Sequence, residues 1–120
     1  MSLYKLINDD RMKLLKNLKN NSVQLIVTSP PYNIGKSYEK KESLDIYLNE
    51  QEKTLKECYR ILKKKGSLCW QVGSYFEKTE LFPLDIYIYE ICKKLGFRLR
   101  NRIIWHFEHG LHSNKKFQDV

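Results

Sequence analysis

The sequence predicts an α/β chain with a mostly parallel sheet and helices on its faces. Two observations predict it. Short β-branched-rich apolar runs alternate along the chain with stretches whose apolar residues recur every three or four positions. Turn residues punctuate the alternation, giving an expected order β-α-β-α-β-α-β without internal repeats. Four strands and three helices make a thin version of this plan, so at least one sheet edge is expected to stand open.

Residues 3–7 are short and apolar, and Asn8-Asp9-Asp10 ends them; they read as a first strand. Met12, Leu15 and Leu18 then share a helical face, with Lys13, Lys16 and Lys19 on another. Asn20-Asn21-Ser22 stops that helix. The run Val23-Gln24-Leu25-Ile26-Val27-Thr28 is too short for a helix and suits a buried parallel strand. It leads into Ser29-Pro30-Pro31-Tyr32, where two prolines without N–H groups end any ladder. Residues 33–43 are polar and read as a long loop.

Leu44, Leu48, Leu55, Cys58 and Leu62 define one face of a second helix, with Gln51 filling the gap. Lys63, Lys64 and Lys65 are expected to close it, where positive charge suits the helix dipole, and Gly66 to stop it. Residues 67–72 read as a strand. Pro83 can open a third helix with Leu84, Ile88, Ile91 and Leu95 buried and Gly96 as its stop. The alternation of Phe97, Leu99, Asn101, Ile103, Trp105 and Phe107 against Arg98, Arg100, Arg102, Ile104 and His106 reads as a last strand. Trp70 and Trp105 are expected in the core of these strands.

Composition bounds the function. The chain has 120 residues, enough for one small domain or part of a larger one. Apolar residues at 42% and charged residues at 30% argue against disorder. Lys and Arg number 22 against 14 Asp and Glu, and the net charge of +8 points toward phosphate-bearing partners. No apolar run approaches the roughly 20 residues of a membrane-spanning helix, and the start does not read as a secretion signal. Cys58, Cys69 and Cys92 are odd in number and lack paired-ligand spacing, so they read as small buried side chains in a reducing cytoplasm. No metal is expected: His106, His109 and His112 recur every third residue but lack a Cys or clear carboxylate partner.

Ser29-Pro30-Pro31-Tyr32 carries the chemistry. In an open α/β sheet, ligands bind beyond the carboxyl ends of strands, which is where this segment is expected. Each proline fixes φ and holds the preceding residue extended. The result is a stiff turn with outward carbonyls. Ser29 Oγ and a carbonyl near Pro30 can both accept from one amino group, while Tyr32 offers a flat face for a ring. Two such acceptors would orient both N–H bonds of an aromatic amine and localise its lone pair. The competing reading is a rigid turn and nothing more.

Residues 20–35, NNSVQLIVTSPPYNIG, resemble motif IV of the amino-group DNA methyltransferases, which methylate N4 of cytosine or N6 of adenine. Residues 55–70, LKECYRILKKKGSLCW, are similar to the helix and strand after that family's catalytic loop. Residues 101–112, NRIIWHFEHGLH, resemble a strand and loop that help hold the extruded base. Asp10 matches an acidic position after the first strand. The order is like that of the β class, with the cofactor half last. The resemblance implies an incomplete Rossmann-like, S-adenosylmethionine-dependent methyltransferase fold. It also implies a flipped base in double-stranded DNA, a cytoplasmic location, and a place in restriction-modification. By the same resemblance, Ser29 and the Pro30 carbonyl take the amino group, Pro31 stiffens the turn and Tyr32 stacks on the base. Asp10 contacts the cofactor, or merely caps the next helix. Lys36, Arg98, Arg100, Arg102 and His109 are candidates for meeting DNA, with Lys40 and Lys41 beside them. Ser at the first motif position leans toward cytosine N4, since adenine enzymes more often carry Asp. A related tetrapeptide beginning with Asn belongs to enzymes methylating protein glutamine; Ser29 and the basic charge weigh against that substrate.

The sequence departs from the family in one large respect. Glycines stand only at Gly35, Gly66, Gly73, Gly96 and Gly110, so the Phe-x-Gly-x-Gly loop that receives the cofactor's methionine part is missing. Asp9 also stands where the family usually has Gly. The expectation is a single partial domain over 1–120, lacking the target-recognition region and the cofactor half. It would be truncated or completed by a second chain, and nearly inactive alone. The alternative is a non-catalytic basic remnant that binds DNA or a partner.

Overall fold

The computed structural model describes residues 3–33, 35 and 41–106. Its elements are α1 (Arg11–Asn17), β1 (Val23–Thr28), α2 (Leu44–Ile61), β2 (Leu62–Trp70), β3 (Ser74–Glu77), β4 (Glu80–Pro83) and α3 (Leu84–Leu95). β1 and β2 pair in parallel, and α2 makes the crossover between them. β3 and β4 form a separate antiparallel hairpin.

α2 organises the packing. Ser43 caps its start by accepting the Ile46 N–H. The predicted face is the inner one: Gln51, Leu55, Cys58 and Leu62 are buried, joined by Tyr47, Thr54 and Ile61. α1 and α3 both pack on this helix. Tyr47, Tyr75 and Leu84 form a second buried cluster, with Tyr32, Leu44, Leu48, Val72 and Phe82 against it.

The helix ends earlier than the sequence predicts. Its last carbonyls are taken by the chain entering β1: the Asn21 N–H donates to Arg60 O at 3.1 Å and the Ser22 N–H to Ile61 O at 2.8 Å. Arg60 adds a lock, donating to Leu15 O and Leu18 O, each at 2.8 Å, and to Asn20 Oδ1 at 2.7 Å. With those carbonyls satisfied, Leu62 turns extended and β2 starts at once. Lys63, Lys64 and Lys65 therefore lie in β2, exposed, and do not close the helix. Gly66 is a strand residue and not a helix stop. It sits beside the register shift between Val23 and Leu25, and a Cβ there would meet Gln24 O at 3.1 Å and Leu62 Cδ2 at 3.0 Å.

α3 follows its prediction more closely. Leu84 and Ile88 are buried, and Ile91 and Leu95 are half-buried. Pro83 is the residue before the first turn. Gly96 takes φ of 109°, and its N–H meets Cys92 O and Lys93 O. A side chain at 96 would also strike Tyr59 Oη, 2.8 Å from the Cβ position.

Other expectations fail. Residues 3–7 form no strand, and Leu3, Tyr4, Leu6 and Ile7 are exposed. Residues 97–106 also form no strand: Phe97 is held edge-on by the Tyr59 ring at 5.0 Å, but Ile103, Ile104 and Trp105 lie exposed. Alternation alone does not make a strand when no neighbour offers a ladder, and none pairs with these segments among the described residues. Trp105 is consequently not core. Among the described residues the parallel sheet has two strands, not four, and the predicted strand 67–72 is the second half of β2, ending at Trp70. The hairpin β3–β4 carries no turn glycine; Lys78 makes the bend at φ 56°.

Cysteine environments divide. Cys58 is buried, Cys92 half-buried and Cys69 exposed. Burial pushes the Cys58 and Cys92 thiols up to about 11, with Glu57 adding to the first and Cys58 to the second. Cys69 stands on the same uncovered face of the sheet as Leu25 and Val27, which are 55% and 69% exposed. Parallel sheets are ordinarily covered on both faces.

Candidate functional site

The apolar strand β1 delivers residues 29–32 to its carboxyl end. Gln71 N–H donates to Thr28 O at 3.0 Å, and there the pairing stops, because the prolines bring no N–H. Ser29 is exposed and Tyr32 half-buried. Their hydroxyl oxygens lie 2.9 Å apart, closing a small ring across the two prolines. Among the described residues nothing donates to the Pro30 carbonyl. The segment thus presents a carbonyl to which no described residue donates and one hydroxyl.

Three residues that sequence reasoning missed build this geometry. Tyr47, buried on α2, donates its hydroxyl to Pro31 O at 2.6 Å, which fixes the second proline from below. Gly73 lets the Tyr32 ring lie on bare backbone: a Cβ at 73 would sit 3.1 Å from Cδ2 and 3.2 Å from Cε2 of that ring. The Cδ2 and Cε2 atoms of the ring therefore lie close to the Gly73 backbone. Asn33 closes the loop. It is 2% exposed and adopts φ 61°, a conformation Asn tolerates. Its Nδ2 donates to Glu42 O and its Oδ1 accepts from Glu42 N–H, both at 2.7 Å. An Asn following a diproline turn and preceding a polar loop was the available signal. Tyr47 gave none beyond its place on the buried face.

Gly73→Ala tests the contact. The Tyr32 ring must give by a few tenths of an ångström, and any turnover that depends on its position should fall roughly fivefold, as small displacements of positioning groups do. The check is the rate together with a structure of the variant.

Asp10 is exposed, and its Oδ1 accepts the N–H groups of Met12 at 2.9 Å and Lys13 at 3.3 Å, so it is the N-cap of α1. Asp10→Ala should cost about 0.5–1 kcal/mol in urea unfolding, while Asp10→Asn, which also caps, should cost little. The arginines do not form a stripe, since no strand aligns them. Arg102 pairs with Asp85 on α3, and Arg98 and Arg100 are exposed. Lys41 is tied to the hairpin, donating to Phe76 O at 3.3 Å over the Tyr75 ring. Lys36, Lys40 and His109 lie outside the described residues, as does His112; His106 is exposed. Trp70 ends β2 opposite Thr28, half-buried. A groove between α2 and α3, lined by Asp45, Leu48, Glu52, Tyr87 and Glu90 among others, shares no residue with the 29–33 segment.

Comparison with known proteins bears on this geometry. The model of a DNA methylase family matches residues 23–120. The type II methyltransferase M.BglII of Bacillus subtilis is 47% identical over 116 residues, which are 96% of this chain and 32% of that protein. The type II methyltransferase M.HpaI of Haemophilus parainfluenzae is 35% identical, over 89% of this chain and 33% of its own length. Among solved structures, TTHA0409 of Thermus thermophilus, described as a DNA modification methylase, superposes with a TM-score of 0.69 at 35% identity. It covers 81% of this chain, which spans 42% of it. The same protein complexed with S-adenosyl-L-methionine matches at a TM-score of 0.63 and 32% identity, over 74% of this chain and 39% of its own. The chain therefore spans about a third of the curated relatives it matches. Its fold is part of the α/β methyltransferase fold of these neighbours, and no helix among the described residues is long and apolar enough to cross a membrane. Matched over most of its length in sequence and sharing that fold, this chain belongs to the DNA methylase family.

Proposed function

We propose that this chain supplies the base-holding part of a DNA methyltransferase acting on the exocyclic amino group of a flipped cytosine (N4) or adenine (N6). One observation supports the reading: directly after β1, Ser29 Oγ lies 2.9 Å from Tyr32 Oη, the adjacent Pro30 carbonyl has no donor among the described residues, and the Tyr32 ring lies against Gly73. Those two acceptors take the two N–H bonds of the amine and turn its lone pair outward. Tyr32 stacks on the base, which must leave the duplex to arrive. Because the acceptors are held before the base enters, little reorganisation is needed at the reaction. Ser29 favours cytosine.

S-adenosylmethionine supplies the methyl group in this reading. The chain fits that cofactor only in part. Asp10 keeps its Oδ2 outside the helix cap and is the proposed contact. No glycine loop for the methionine part exists in the sequence. That contact is assigned to a part of the protein outside these residues or to a second polypeptide, and 1–120 to a single partial domain. That completing part would cover the apolar face of Leu25 and Val27 and pair with the edge of β1 that no described residue pairs with. Lys36, Arg98, Arg100 and His109 are proposed DNA contacts, with Arg102 available once it leaves Asp85.

A second reading, a basic remnant without catalysis, is favoured by the +8 charge, which suits phosphate binding whether or not a group is transferred. One assay separates the two. Labelled methyl transfer from S-adenosylmethionine to duplex DNA is measured with this chain alone, and then with the part of M.BglII outside its match supplied as a separate polypeptide. Little turnover alone and clear turnover together is expected, with nucleoside mass spectrometry naming the base. No turnover from the mixture supports the remnant.

A further inference from the structure

A serine hydroxyl both donates and accepts. To receive an N–H from a target amine, Ser29 Oγ must send its own proton elsewhere. A partner is in reach: Tyr32 Oη lies 2.9 Å away, in an arrangement where either oxygen can donate. Among the described residues no other group bonds to Ser29. The phenol is also held in place. Its ring lies on Gly73 and against the Tyr47, Tyr75 and Leu84 cluster, while Tyr47 pins the intervening Pro31 carbonyl at 2.6 Å.

We propose that the Tyr32 hydroxyl is a positioning group that accepts a hydrogen bond from the Ser29 hydroxyl and so leaves the Ser29 Oγ lone pairs to accept from the target amino group. This rests on the reading that the site holds an exocyclic amine. It adds something stacking does not require, because a phenylalanine ring would stack equally well. With the proton drawn toward Tyr32, Ser29 meets an amine N–H with a lone pair. With the proton free to turn outward, Ser29 would present a donor to a donor, or would donate to a ring carbonyl in the amine's place. The hydroxyl therefore sets both the rate and the preference for an amino over an oxo substituent.

The test is a double-mutant cycle on methyl transfer by this chain completed with the M.BglII remainder, reading kcat and KM for DNA separately. Tyr32→Phe should lower kcat about tenfold, the worth of one net hydrogen bond of about 1.4 kcal/mol, with KM changed less. In the Ser29→Ala background the hydroxyl has nothing to orient, so Tyr32→Phe should add almost no further loss. An equal loss in both backgrounds would make the hydroxyl a packing group and overturn the inference. So would a Tyr32→Phe enzyme with full kcat, which leaves the functional reading intact. A wild-type mixture without turnover, by contrast, removes the functional reading, and the inference falls with it.

Discussion

Tyr32→Ala should lower methyl transfer by the completed enzyme at least about 100-fold, since stacking on an aromatic ring is worth up to about 3 kcal/mol per base. The structure makes the loss larger than stacking alone. Removing the ring also takes away the oxygen beside Ser29 and leaves the Tyr47, Tyr75 and Leu84 cluster open on one side. The fall should appear in initial rates at saturating DNA and cofactor. Thermal melting keeps the result interpretable: Tyr32 is only half-buried, so the variant should still unfold cooperatively. A variant that retains a tenth of the rate or more would show that no base stacks on this ring.

Leu55→Ala should cost about 3 kcal/mol of stability, as large-to-small changes at fully buried sites do. Leu55 is 0% exposed, in the middle of the helix on which both α1 and α3 pack. Small domains have only about 5–15 kcal/mol to lose, so the variant should unfold at a markedly lower urea concentration. Urea unfolding followed by tryptophan fluorescence measures it. Cys69→Ser, on the exposed face, gives the contrast: a change within about 0.5 kcal/mol. If the two variants unfold at the same urea concentration, α2 is not the organising element of this fold.

Much of this was legible in the sequence, for a physical reason. The face of α2, the strand β1 and the glycine that ends α3 are written in local periodicity and backbone preference, which survive any tertiary context. The tip of β1 was legible because prolines restrict their own backbone and that of the preceding residue. What failed depended on partners. Residues 97–106 alternate as a strand should, yet alternation cannot supply a neighbour. Lys63–Lys65 look like a helix end, but the Asn21 and Ser22 amides capture the last carbonyls of α2 first. Asp10 fits a cofactor contact and a helix cap equally in sequence, and the hydrogen bonds to Met12 and Lys13 identify the cap. Asn33, Tyr47 and Gly73 went unread because their importance lies in contacts at 2.6–3.2 Å across 9 to 41 residues of chain. No spacing rule announces such contacts.

The account stands on an amino group held between Ser29 and Pro30. A structure of the completed enzyme on duplex DNA containing its target, with a non-reactive analogue of the cofactor, measures that directly. The expected result is a flipped base stacked on Tyr32, its exocyclic nitrogen within about 3.2 Å of both Ser29 Oγ and Pro30 O. A base lodged elsewhere, with Ser29 bonded to Tyr32 alone and the Pro30 carbonyl facing water, would contradict it.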